Sequence, residues 1–287
     1  MKMGHQRLNN LDERPRWHVV EELRRGNLRS LRWKLQRHGR ALDETNALRQ
    51  AVPPNIRVDD GVVRDLQMEL AASIELHEAL TTPAANEWAR SALPTRKDPA
   101  AILDHLLHGP NRGREVFLYL WIRLARPSIV VETGCFTGWD SLLILSALNR
   151  NALGHLYTID LPAREGAFSQ VGTGSGLPNG FEPGFLVPKP LRRRWSLILG
   201  DARSELQPLL ERVGQVDLFF HDSHHSYTHM MWEYTSIWPF LSGNGIVVSD
   251  DISWNTAFLD FAGGVGSRPL ILRENSNIGA VVRRKQV

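Results

Sequence analysis

Two short stretches hold most of the side chains able to do chemistry. His221-Asp222-Ser223-His224-His225-Ser226-Tyr227 follows the apolar run 216–220, and Ser249-Asp250-Asp251 follows the apolar run 245–248. If both runs are strands, their ends set the carboxylates of Asp222, Asp250 and Asp251 beside the imidazoles of His221, His224 and His225 along one sheet edge. Carboxylate oxygens, with water in the remaining positions, suit a hard divalent cation such as Mg²⁺. An ion so held lowers the pKa of a bound hydroxyl, and a neighbouring base then removes the proton. Asn255 could add an oxygen ligand from farther along the chain.

A second constellation lies upstream. Val130-Val131-Glu132-Thr133-Gly134-Cys135-Phe136-Thr137-Gly138-Trp139-Asp140-Ser141 reads as a strand, a glycine loop and a helix start. Gly134 permits a sharp turn, and Gly138 lets backbone pass close to a ligand. Asp140 and Ser141 suit a helix N-terminus, whose free N–H groups would face that ligand. The spacing is Glu-x-Gly-x-x-x-Gly, not the Gly-x-Gly-x-x-Gly of dinucleotide sites. A roomier loop with a carboxylate beside it suits a zwitterionic amino-acid tail carrying a sulfonium. Two further acids end apolar runs: Asp160 after 156–159, placed to accept ribose hydroxyls, and Asp201 in Gly200-Asp201-Ala202, placed to accept an adenine amine.

These acids need a scaffold. Apolar runs at 129–131, 156–159, 195–199, 216–220 and 245–248 alternate with helical patterns at 141–148, 203–213 and 229–241. Strands alternating with helices predict a parallel sheet of βαβ units. Runs at 270–273 and 278–283 around Asn275-Ser276-Asn277 predict an antiparallel hairpin at the end. The Gly- and Pro-rich stretch 164–190 fits no regular element and is expected to cover the site. Residues 1–95 read as a helical extension, a lid or an oligomer contact, with helices at 19–35 and 62–80; 96–287 form the main domain. Helices are also expected at 100–108 and 113–125. Met230, Met231, Tyr234, Ile237 and Trp238 read as a core face, and His229 as a surface residue.

Hydrophobic residues make up 42 % and charged residues 23 %, which excludes a disordered or fibrous class. A single cysteine, Cys135, rules out an intrachain disulfide or a cysteine-built zinc site. No apolar run approaches the roughly 20 residues of a membrane helix, and a cytoplasmic location is expected. The net charge of +3 hides a local excess at Arg24, Arg25, Arg29, Arg32, Lys34, Arg37 and Arg40, read as a solvated helical face rather than a nucleic-acid surface.

Residues from about 100 onward resemble the class I S-adenosylmethionine-dependent methyltransferases, and within them the metal-dependent macrocin-type and cephalosporin-pathway O-methyltransferases. The resemblance implies an α/β, Rossmann-like, seven-stranded and mostly parallel sheet with an antiparallel last strand, beyond an N-terminal helical extension. It implies S-adenosylmethionine bound by Glu132, Thr133, Gly134, Gly138, Ser141, Asp160, Asp201, Ala202 and Asp222. It implies a divalent cation, Mg²⁺ or similar, on Asp222, Asp250 and Asp251, with His225 as the preferred base and His224 as the reserve. The partner is then a small-molecule hydroxyl acceptor (a natural product, sugar or phenol), and homo-oligomers are possible. Three readings compete. A nicotinamide or nucleotide-sugar oxidoreductase lacks its glycine pattern here. A nucleic-acid base methyltransferase lacks the Asn-Pro-Pro-Tyr-like loop, since His-Asp-Ser stands after the fourth strand. A non-catalytic S-adenosylmethionine-binding scaffold sits poorly with an intact acid set.

Overall fold

The computed structural model describes residues 42–92, 113–163, 177, 180–272 and 277–284. The expected helices at 19–35 and 100–108, the basic cluster at 24–40, most of 164–179 and residues 275–276 lie outside this set.

Val130, Val131, Leu218, Phe219, Phe220, Ile246, Val247 and Val248 are fully buried. Strands covered on both faces in this way read as continuous apolar runs, which is the signature of a parallel sheet under helices. The strands are β1 (Ile129–Thr133), β2 (His155–Asp160), β3 (Trp195–Leu199), β4 (Val216–His221), β5 (Leu241–Ser249), β6 (Leu270–Ile271) and β7 (Gly279–Val282). They form one seven-stranded sheet in the order β3-β2-β1-β4-β5-β7-β6. β1 to β5 pair in parallel; β7 runs antiparallel between β5 and β6, as the predicted hairpin requires.

The order reverses between β1 and β4, and ligands of open α/β sheets bind at the carboxyl end of such a reversal. The register sharpens this point. Thr133 stands opposite His221, and His221 opposite Ser249, so three strands end in line.

The helices, in chain order, are α1 (Glu44–Ala51), α2 (Asp60–Ala71), α3 (Ile74–Leu80), α4 (Pro83–Ala92), α5 (Gly113–Ala125), α6 (Trp139–Asn151), α7 (Ala202–Val213), α8 (Tyr227–Ile237) and α9 (Ala257–Gly264). α5 and α6 pack on each other. In α5, residues from Phe117 to Ile122 are buried around its whole circumference, which marks a helix inside the fold rather than on its surface.

Two predicted helices end differently. The pattern 62–80 is two helices, parted at Ala72-Ser73, with Ser73 at the N-cap position of α3. The pattern 229–241 stops at Ile237, because Pro239 has no N–H to continue the ladder; a 3₁₀ turn follows and β5 begins at Leu241.

Residues from Ala41 to Val287 form one compact unit. Helices α1 to α4 therefore share a unit with the sheet. Leu42 N–H donates to Ile271 O at 2.8 Å beside the edge strand. Trp121 Nε1 donates to Ala51 O, while Tyr119 Oη and Arg123 both donate to Glu69. Asp43 and Asp59 cap α1 and α2 by accepting from Asn46 N–H and Val62 N–H.

Candidate active site

The glycine loop leaves β1 at Gly134, whose φ of +81° is left-handed. A Cβ there would strike the Asp222 carbonyl, standing 2.7 Å from its carbon. The first residue after β4 therefore rests directly on the first residue after β1. Gly138 is also left-handed, at φ +86°, and forms the N-cap of α6 without any side-chain bond. What crowds Gly138 is the chain itself: a Cβ would lie 2.7 Å from Gly184 Cα. Gly184 N–H donates to Phe136 O and Leu186 N–H to Thr137 O. The end of the glycine-rich stretch thus straps the outside of the loop, with Leu186 and Val187 buried.

Glu132 is fully buried. Its Oε2 accepts from Ser141 Oγ at 2.5 Å and Thr158 Oγ1 at 2.7 Å. Its Oε1 has no hydrogen-bond partner among the described residues. Burial pushes the carboxyl up to about 8 against the help of those two hydroxyls. Thr133 is turned the other way, donating to Glu233. Asp160, at the end of β2, gathers the loop by accepting from Cys135 N–H (2.9 Å) and Phe136 N–H (2.7 Å) through Oδ2, and from Leu161 N–H through Oδ1. A carboxylate has about four acceptor positions, so capacity remains on Oδ1 for a ligand hydroxyl. Asp201 caps α7, accepting from Arg203 N–H, with Ala202 as the first helical residue.

The second constellation follows β4 and β5. His225 is flanked by carboxylates on both ring nitrogens, Nε2 lying 3.6 Å from Asp222 Oδ1 and Nδ1 3.9 Å from Asp251 Oδ2. Its ring stacks obliquely on half-exposed Trp254 at 5.4 Å and edgewise on His221 at 5.1 Å. Burial, then the neighbouring His221, lowers His225 to about 4, so the imidazole is neutral at pH 7. Asn255 donates to His225 O and to Met230 Sδ, and its Oδ1 accepts from Ala257 N–H. Both ends of the Asn255 amide therefore serve the fold. His224 is exposed and bonded to Ser226 Oγ; desolvation lowers it as well.

Asp250 is buried and its Oδ1 accepts from Asp251 N–H. Asp251 takes a left-handed φ of +50°, held by Asn277 Nδ2 on its Oδ1 at 2.5 Å. The three carboxylates expected to share a cation thus reach one neighbourhood: Asp222 and Asp251 face the two ring nitrogens of His225, and Asp250 also acts on that ring electrostatically. Among the described residues no group of three or more His, Cys, Asp or Glu is placed to hold a metal ion.

Residues 131–252 match the family model described as a methyltransferase domain. The matched stretch runs from within β1 to just past the end of β5. No curated protein matches it. Among solved structures, it resembles the S-adenosylhomocysteine-bound methyltransferase PaMTH1 of Podospora anserina, at 16 % identity over 80 % of this chain and 98 % of that one, with a TM-score of 0.48. The O-methyltransferase TomG of Streptomyces achromogenes, in complex with SAM, is 15 % identical over 74 % and 90 %, with a TM-score of 0.47. An O-methyltransferase of Bacillus cereus in complex with SAH is 14 % identical over 71 % and 99 %, with a TM-score of 0.44. Likenesses at this level carry no argument about substrate.

The matched stretch contains one acid that sequence reasoning passed over. Glu233 on α8 is fully buried and binds His221, Thr133, Ser223 and His229. The available signal was the helical i,i+4 pair His229/Glu233. His229 is correspondingly buried, not a surface residue, whereas Met230, Tyr234 and Ile237 do form a core face. Among the described residues no helix is long and apolar enough to cross a membrane.

Proposed function

We propose that the chain is an S-adenosylmethionine-dependent O-methyltransferase acting on a hydroxyl of a small molecule. The observation that carries this reading is the contact between Gly134 and Asp222, which sets the His225 loop directly beside the glycine loop. The residues fit the cofactor. Glu132 Oε1 is buried without a hydrogen-bond partner among the described residues, and an ammonium beside it would donate to the ionised carboxylate. Asp160 keeps an acceptor position for a ribose hydroxyl, and Asp201 for an adenine amine.

S-adenosylmethionine supplies an electrophilic methyl group on sulfur. The chain's own residues do the rest. The glycine loop and Asp160 hold the adenosine end, while Glu132 holds the amino-acid end. His225 Nε2, neutral at pH 7, accepts the acceptor's hydroxyl proton as the oxygen is alkylated. Asp222 and Asp251, one on each side of the ring, then stabilise the imidazolium. Among the described residues no such carboxylate pair flanks His224, which stands second as base. Asp222, Asp250 and Asp251 are the residues that would hold the expected divalent cation, which would lower the pKa of the acceptor hydroxyl. No step is routed through an ion.

Calorimetric titration of the purified protein with S-adenosylhomocysteine tests the reading, first with Mg²⁺ and then with EDTA. Micromolar binding supports the cofactor site, and no binding in either buffer would sink it. A heat signal for Mg²⁺ that disappears in Asp251→Ala would restore the ion to the mechanism. Asp160→Ala should weaken S-adenosylhomocysteine binding at least tenfold.

A further inference from the structure

Glu233 lies on the buried face of α8, where Met230, Tyr234 and Ile237 are apolar or aromatic and packed. A carboxylate in such a place costs several kcal/mol unless its oxygens are paired. Its partners among the described residues come from strand ends, the loop they carry and the first turn of α8. Oε2 accepts from His221 Nδ1 at 2.5 Å and from Thr133 Oγ1 at 2.8 Å; Oε1 accepts from Ser223 Oγ and His229 Nε2, both at 2.9 Å. Burial raises the carboxyl, but the charge and hydrogen bonds of His221 and His229 hold it below the ordinary carboxylate range. It is an anion inside the sheet edge.

We propose that Glu233 is the positioning residue of the acceptor site: it clamps both ends of the segment 221–229 and thereby fixes where His225 stands. The role rests on the reading of His225 as the base. Three of its bonds carry this geometry. His221 and Ser223 anchor the segment where it leaves β4, and His229 anchors it where it enters α8, so the residues between have little freedom to move the His225 ring. His221, accepted at Nδ1, is held in one orientation, with its ring edgewise against His225 at 5.1 Å and against Tyr234 at 5.5 Å. Thr133 ties the same carboxylate to β1, so the base loop is indexed to the strand that bears the glycine loop. Asn255, donating to His225 O, adds a further tether between the two ends.

The test reads ring positions without any acceptor. The full-length protein, ¹³C,¹⁵N-labelled at histidine, is compared as wild type and Glu233→Gln, with S-adenosylhomocysteine affinity measured in parallel. The expected result is a displacement of the His225 ring resonances together with those of His221, loss of any far-downfield His221 Nδ1–H signal, and S-adenosylhomocysteine affinity within about threefold of wild type. Glu233→Asp should bring the His225 resonances part of the way back. Coincident His225 resonances in wild type and Glu233→Gln would overturn the role. Should Glu233→Gln fail to fold, Ser223→Ala removes one tether alone: displaced His225 resonances support the clamp, and unmoved ones overturn it. A wild type that binds no S-adenosylhomocysteine would sink the methyltransferase reading separately, since the ring resonances are read without cofactor.

Discussion

Glu132 and His225 meet burial with opposite consequences. Burial disfavours charge, so the acid is raised to about 8 and the base is lowered to about 4. At pH 7 Glu132 is therefore largely protonated, and a cofactor ammonium beside its unpartnered oxygen would favour the ionised form. S-adenosylhomocysteine binding at pH 7 should then release up to one proton, visible as a difference in heat between buffers of unequal ionisation enthalpy. The release should fade above about pH 8, where the carboxyl is already ionised, and be absent in Glu132→Gln. Equal heats in both buffers would remove Glu132 from contact with the ammonium. His225→Ala should leave S-adenosylhomocysteine affinity nearly unchanged and lower the rate of methyl transfer by about 10²- to 10⁴-fold, the usual range for a general base. An unaffected rate would pass the role to His224.

At the scale of elements, the glycines separate conformational need from crowding. Gly134 and Gly180 share a left-handed φ, +81° and +87°, but a Cβ at Gly134 would collide with Asp222 while one at Gly180 meets nothing within 4 Å among the described residues. Gly180→Ala should cost only the backbone term, about 1–2 kcal/mol. Gly134→Ala should cost more and should weaken S-adenosylhomocysteine binding as well, because β4's end must move off the loop. Urea denaturation of both variants checks the difference, and equal losses would mean that the Asp222 contact is soft. Helix ends obey equally local rules. Pro239 stops α8 and Asp201 caps α7, and both residues were visible in the sequence. The break at Ala72-Ser73 was not, because the apolar period continues across it and only the packing of α3 turns the chain.

For the whole molecule, the decisive boundary is Ala41. A chain beginning at residue 41 should fold and bind S-adenosylhomocysteine as the full chain does. One beginning at residue 96 would lose α1 to α4, uncovering Tyr119 and Trp121 and leaving Arg123 without Glu69; it should unfold or aggregate. Circular dichroism and the same calorimetric titration distinguish the two. A folded, cofactor-binding fragment from 96 onward would show α1 to α4 to be an appendage after all.

The sequence by itself determined the parallel sheet, its antiparallel finish and the acids at its strand ends, because apolar runs and terminal polar residues are local signals written in chain order. It placed Glu132, Asp160 and Asp222 beside a glycine loop for the same reason. Only the tertiary structure decided which groups those acids face. Asp160 spends acceptors on the loop's own N–H groups, Gly138 packs against Gly184, and Asp222 and Asp251 face the two nitrogens of His225. Glu233 shows why. On its helix it reads as one acid among core residues, and its partners lie 4, 10, 12 and 100 positions away. A buried charge takes its meaning from what folding brings within hydrogen-bonding reach, and no local pattern encodes a partner 100 residues distant.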